Sequence, residues 1–165
     1  MSVALRLATM SDLPIILDIY NQTIPSHQVT ADLKPVTVEQ RRPWFLSHTA
    51  EHYPMWVVMQ DEMVVGWLSL SPFYGRAAYE KTAEVSVYLD RSVQGQGIGS
   101  QVLEMIPAQL PAIGLTTVVA YIFSSNLPSI KLFEKFGYEQ WGFLPAVAEF
   151  NGRTNDLVIL GQHFN

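Results

Sequence analysis

The stretch from Thr82 to Leu110 constrains the fold more than any other part of the chain. Between Thr82 and Leu89, apolar Ala83, Val85, Val87 and Leu89 alternate with Glu84, Ser86 and Tyr88, which is the two-residue period of a strand. Glycines follow in Gln94-Gly95-Gln96-Gly97-Ile98-Gly99, and Ile98, Val102, Ile106 and Leu110 then recur at helical spacing. The glycines allow a tight turn at little steric cost. Free amide N–H groups at such a helix start, aided by the helix dipole, suit a phosphate or pyrophosphate. Pro107 lies inside the helical series and should kink the helix or end it early.

The flanking segments extend this unit in both directions. Val3–Leu7 reads as a short strand, and Ser11-Asp12 with Pro14 opens a helix near 11–22 through Leu13, Ile16, Leu17 and Tyr20. Thr37-Val38-Glu39-Gln40 has the form of a capping box and starts a second helix through Trp44, Phe45 and Leu46. Met55–Gln60 and Met63–Ser71, split by Asp61-Glu62, read as a hairpin. After the glycine segment come a strand at Thr116–Phe123, a helix at Pro128–Phe136 ended by Gly137, and closing strands at Tyr138–Phe143 and Leu157–Leu160. The order β-α-α-β-β-β-α-β-α-β-β is an α+β class with a largely antiparallel sheet and one βαβ crossover in its middle.

Composition narrows the function. A chain of 165 residues has single-domain length, and 48% hydrophobic with 15% charged residues is a globular balance. Ten Lys and Arg against 15 Asp and Glu leave a net charge of −5, so there is no basic surplus for neutralising nucleic-acid phosphates. With no cysteine the chain has no disulfide, thiolate metal site or cysteine nucleophile. No apolar run has the length of a membrane span, and Met1–Arg6 lacks the pattern of a signal peptide. The expectation is a soluble, cytoplasmic protein of one domain over residues 1–165.

Two nucleotide motifs fail. No Gly-Lys-Ser/Thr triplet exists for a Walker loop. A dinucleotide fingerprint needs Gly or Ala where Ser100 stands, and no acidic residue lies between Glu104 and Glu134.

Instead, Gln94-x-x-Gly97-x-Gly99 resembles the acyl-CoA pyrophosphate loop of the GNAT N-acetyltransferases. Asn126-Leu-Pro-Ser129 through Phe133 to Gly137-Tyr138 resembles that superfamily's second signature. Within it the chain is similar to phosphinothricin-type acetyltransferases, including those acting on methionine sulfone and sulfoximine. The matching segments are Ala8–Pro14, Ile19–Asn21, Trp44-Phe45, Arg76–Tyr79, Glu84–Tyr88, Gly142–Pro145, Gly152-Arg153 and Asp156-Leu157, nearly the whole chain in order.

The resemblance implies a seven-stranded, four-helix GNAT fold, no metal, and acetyl transfer from acetyl-CoA to a small primary amine, in a homodimer. It assigns Glu84 as the base that deprotonates the amine. It pairs the pantetheine arm with Val87, Tyr88 and Leu89, and the pyrophosphate with Gln94, Gly95, Gln96, Gly97, Ile98 and Gly99. Asn126 and Ser129 complete the cofactor set. Acceptor contacts fall on Phe73, Tyr74, Arg76, Tyr79 and Glu84, where a guanidinium suits a carboxylate.

Two positions depart from the pattern. Phe133 stands where these enzymes carry Tyr or His and offers no proton to the departing thiolate. Thr154-Asn155 follow Arg153 where an aromatic is usual. A silent CoA-binding sensor therefore remains open beside the enzyme. So does a zinc hydrolase, since His48-Thr-Ala-Glu51-His52 matches a His-x-x-Glu-His pattern whose two histidines could share a metal on a helix.

Overall fold

A computed structural model describes residues 2–165. Seven strands form one sheet in the order β1-β2-β3-β4-β5-β7-β6. They are β1 (Ala4–Leu7), β2 (Met55–Gln60), β3 (Met63–Pro72), β4 (Thr82–Leu89), β5 (Thr117–Phe123), β6 (Glu139–Phe150) and β7 (Arg153–His163). The helices are α1 (Leu13–Asn21), α2 (Val38–Leu46), α3 (Ile98–Gln109) and α4 (Leu127–Lys135). Every pairing is antiparallel except β4 with β5, which α3 connects as the crossover. The order of elements and the mixed α+β class match the sequence expectation.

Alternation sorts the sheet into two faces. Leu13, Ile16, Leu17 and Ile19 of α1 and Phe45 of α2 pack with Met55, Val57 and Trp67 on one face. Ile98, Val102, Leu103 and Ile106 of α3 and Phe133 of α4 pack with Leu68, Leu70, Ala83 and Val85 on the other. Each such side chain contributes about 1.5–3 kcal/mol by leaving water. The capping box at α2 forms as read: Gln40 N–H donates to the Thr37 hydroxyl at 3.2 Å, and Thr37 N–H to Gln40 Oε1 at 3.0 Å.

α3 runs through Pro107 and ends two residues later at Gln109; the proline has no N–H to offer the Leu103 carbonyl. One expectation about elements is corrected. The closing strands are much longer than Tyr138–Phe143 and Leu157–Leu160. A shift in register between Leu144 and Ala148 absorbs Pro145, with Ala146 at φ 51°, so β6 resumes beyond the proline. The hairpin then turns at Asn151-Gly152, with φ of 52° and 82°, the left-handed pair that a two-residue turn of this kind requires.

Candidate active site

The parallel pairing of β4 with β5 lasts for only three residues, Thr82↔Thr117, Ala83↔Val118 and Glu84↔Val119. Beyond it each strand keeps its other neighbour: β4 stays on β3 through Leu89, and β5 stays on β7 through Phe123. A cavity of about 390 Å³ opens between the unpaired edges. Glu84 to Tyr88 line one side and Ala120 to Phe123 the other. Asn126, Ser129 and Phe133 line it from α4, Val29–Ala31 from the loop before α2, and Val147, Ala148 and Leu157 from the last hairpin. Main-chain groups on a strand edge inside a sheet demand partners, so a split of this kind suits an extended ligand that can take the missing strand's place.

Glu84 stands where the pairing ends. Its side chain shares a face with Ser86 and Tyr88, away from the Val85–Val87 core face. Among the described residues no hydrogen bond or ion pair engages its carboxylate, and burial pushes its pKa above the ordinary carboxylate range. A half-buried, unpaired carboxylate that holds a proton more tightly than usual is suited to exchanging protons with a basic substrate.

On β5, register with Glu84↔Val119 puts Tyr121 on the same face as Glu84. Its phenol is held above its usual pKa by burial and by the nearby Glu84 and Tyr74. Tyr88 is held higher still, chiefly by burial, and its ring stacks on Trp67 at 4.6 Å.

Of the cofactor residues expected from sequence, Val87, Tyr88, Asn126 and Ser129 line the cavity. Asn126 also caps α4, accepting from Ser129 N–H at 3.4 Å, so one side chain faces both the helix and the cavity. Leu89 and Gln94 to Gly99 do not line it; they lead into the start of α3. Gly95 and Gly97 take φ of 79° and 76°, and no side chain caps α3, so its first amides are open to a ligand.

The expected acceptor residues other than Glu84 are not brought into the cavity. Phe73, Tyr74 and Tyr79 instead pack on one another, with ring centroids 4.6–5.7 Å apart, in the exposed loop between β3 and β4. Arg76 is exposed in the same loop. The lining residues that sequence reasoning missed include Val29–Ala31, Ser86, Ala120–Phe123, Val147-Ala148 and Leu157. Tyr121 left a signal, as the one polar-tipped ring, half-buried, inside the apolar run Val118–Phe123.

The histidine pair does not support a metal. α2 ends at Leu46, so His48 and His52 share no helix, and their Nδ1 atoms pair with the carbonyls of Tyr53 and Ile113 at 3.1 and 2.8 Å. Among the described residues no group of three potential ligands assembles.

A split parallel pair, a carboxylate at the fork and an open helix start after a glycine turn together define an acyl-transfer fold. The chain belongs to the acetyltransferase (GNAT) family, whose profile matches residues 16–138. It is 47% identical over 165 residues to YwnH of Bacillus subtilis, provisionally named a phosphinothricin acetyltransferase, covering 99% of this chain and 100% of that protein. It is 33% identical over 162 residues to the L-methionine sulfoximine/L-methionine sulfone acetyltransferase of Pseudomonas aeruginosa, covering 97% and 94%. A phosphinothricin acetyltransferase from Sinorhizobium meliloti, solved in complex with acetyl-CoA, superposes with a TM-score of 0.92 at 28% identity, covering 100% of this chain and 90% of that one.

Proposed function

We propose that the chain, as one catalytic domain, transfers the acetyl group of acetyl-CoA to the free α-amine of a small amino acid or analogue of the methionine sulfone or phosphinothricin kind. The observation that carries this reading is the unpaired Glu84 carboxylate inside the β4–β5 split, beside an open strand edge. The edge at Val87, Tyr88 and Leu89 offers main-chain partners to the two amides of a pantetheine arm. The amides of Gln94, Gly95, Gln96, Gly97, Ile98 and Gly99 suit the pyrophosphate at the start of α3. Asn126 and Ser129 face the same cavity and serve the arm from α4.

The thioester supplies an activated carbonyl carbon. Glu84 takes a proton from the ammonium form of the acceptor, so the free amine attacks that carbon. As the C–N bond forms and the C–S bond breaks, the nitrogen gives up its second proton to water, water protonates the departing thiolate, and Glu84 then returns its own proton to solvent. A thiol near its usual pKa of ~8.5 is a tolerable leaving group, so Phe133 need not donate. Phe133 is 6% exposed and packed edge-on against Tyr138 at 4.9 Å, which serves the core. The loop with Phe73, Tyr74, Arg76 and Tyr79, which leads directly into β4 and Glu84, takes an outer part in meeting the acceptor.

We also infer a homodimer acting in the cytoplasm. Trp141, Phe143, Leu144 and Val147 are all exposed on β6, the outermost strand, an apolar edge that a second copy would cover. No helix among the described residues is long and apolar enough to cross a membrane.

A thiol-release assay over a panel of amino acids, with methionine sulfone, methionine sulfoximine and phosphinothricin included, tests the reading. Saturable release with at least one α-amine is expected. Tight acetyl-CoA binding with no release across the panel would return the silent-sensor reading.

A further inference from the structure

The cavity wall formed by Val29–Ala31 belongs to the connection from Gln22 to Thr37, whose only regular structure is a short turn at Ile24–Ser26. Its two ends are fastened away from the cavity. Gln22 donates to Asp90 and accepts from Arg91 N–H, each at 3.0 Å, and Asn21 exchanges hydrogen bonds with Val36 at 3.0 and 3.1 Å. The middle is held differently. His27 stacks on Phe150 at 5.0 Å, and a polar cluster gathers around Asp32.

In that cluster the Asp32 carboxylate accepts from the Tyr20 hydroxyl and from Arg41 Nη2, with Arg41 reaching across from α2 at 2.5 Å. The Tyr20 hydroxyl also meets the Thr30 hydroxyl, and Thr30 is 7% exposed. Arg41 lies 5.5 Å from the Tyr20 ring and 5.7 Å from that of Trp44. The Tyr20 ring packs in turn against Tyr88 of β4 at 5.2 Å. Asp32 itself does not line the cavity, but it binds α1, α2 and the cavity wall together, with β4 reached through the Tyr20 ring.

We propose that Asp32 is a positioning residue for the acceptor. By receiving Tyr20 and Arg41 it seats Thr30, and with it the Val29–Ala31 wall, against the strand that carries Glu84. The wall lines the same cavity as Glu84, so its placement sets how well an amine is held, whereas the cofactor edge offers main-chain groups that the wall does not supply. Only a charged acceptor can hold both the phenol and the guanidinium through charge-assisted hydrogen bonds.

The proposal rests on the acetyl-transfer reading for its kinetic part and stands on geometry alone for its structural part. Asp32→Ala is the first variant. Tyr20→Phe is the second, keeping the ring's packing on Tyr88 while removing the hydroxyl. The expected result is a rise in amine KM of about tenfold for Asp32→Ala, the scale of a lost charge-assisted hydrogen bond, and a smaller rise for Tyr20→Phe. Acetyl-CoA affinity by calorimetry should stay within about twofold and kcat within about threefold, since neither variant removes a main-chain group of the cofactor edge or the Glu84 carboxylate. Amide exchange over residues 28–33 should speed up in both variants while that of β4 does not.

Unchanged amine KM, or amine KM and acetyl-CoA affinity weakening in parallel, would overturn the proposal. If the wild-type protein acetylates no acceptor, the functional reading fails by itself. Exchange over residues 28–33 then decides the positioning claim alone, and unchanged exchange in Tyr20→Phe overturns it.

Discussion

Glu84 is the residue on which the proposed chemistry turns, and its environment makes two opposed demands. Burial raises its pKa, so in the folded chain the protonated form is favoured relative to the unfolded chain. The stability this brings is fully present below the unfolded carboxylate value and is lost as pH rises through the folded one. At neutral pH the ionised side chain is therefore a burden on the fold that catalysis requires. Glu84→Gln should lower kcat by about 10²–10⁴-fold, the usual worth of a general base, with acetyl-CoA affinity nearly unchanged. The same variant should melt higher than wild type at about pH 7, by a margin that shrinks towards about pH 4. A rate loss under about twofold across the pH range would remove Glu84 from the mechanism. In the wild-type protein the acid limb of kcat/KM should sit above the ordinary carboxylate range, for the same reason of burial.

At the scale of elements, the start of α3 gives a clean comparison between two glycines. Gly97 and Gly114 have φ of 76° and 72°, and a Cβ at either would meet no protein atom within 4 Å. Alanine at each should therefore carry the same left-handed backbone strain, about 1–2 kcal/mol, and no clash within the chain. Gly97 opens α3 after the glycine turn, whereas Gly114 ends the short turn that follows that helix. Gly97→Ala should weaken acetyl-CoA binding by about tenfold or more, through crowding of a phosphate held by main-chain amides. Gly114→Ala should lose similar stability and leave acetyl-CoA binding intact. Equal binding by the two folded variants, measured by calorimetry, would move the pyrophosphate away from this turn. Local signals of this sort were readable beforehand: the α2 capping box, the span of β4 and the glycine turn all lie where the sequence puts them. The Asn151-Gly152 turn was equally local, but Pro145 hid the strand that leads to it.

For the whole molecule, the last hairpin joins the proposed dimer interface to the cavity. Its exposed edge carries Trp141, Phe143, Leu144 and Val147, while Val147 and Ala148 also line the cavity. Phe143→Asp should convert the proposed dimer to a monomer by light scattering, because a charge at an apolar interface has no partner. Amine KM should rise in that monomer, since the interface and the cavity share one strand. A wild-type protein that scatters as a monomer would end the dimer reading. Sequence by itself determined the order of the elements, most of their spans and the two faces of β4, because periodicity, caps and turn residues act over a few neighbouring positions, while the candidate base came from the resemblance to the GNAT enzymes. It could not determine that Phe73, Tyr74, Arg76 and Tyr79 stay outside the cavity, or that Val29–Ala31, Tyr121 and Val147-Ala148 enclose it. Those outcomes follow from where the β4–β5 pairing stops and from which distant segments close over the gap. A pattern of apolar and polar residues tells each strand which face to bury. Only the packed structure decides what meets the other face.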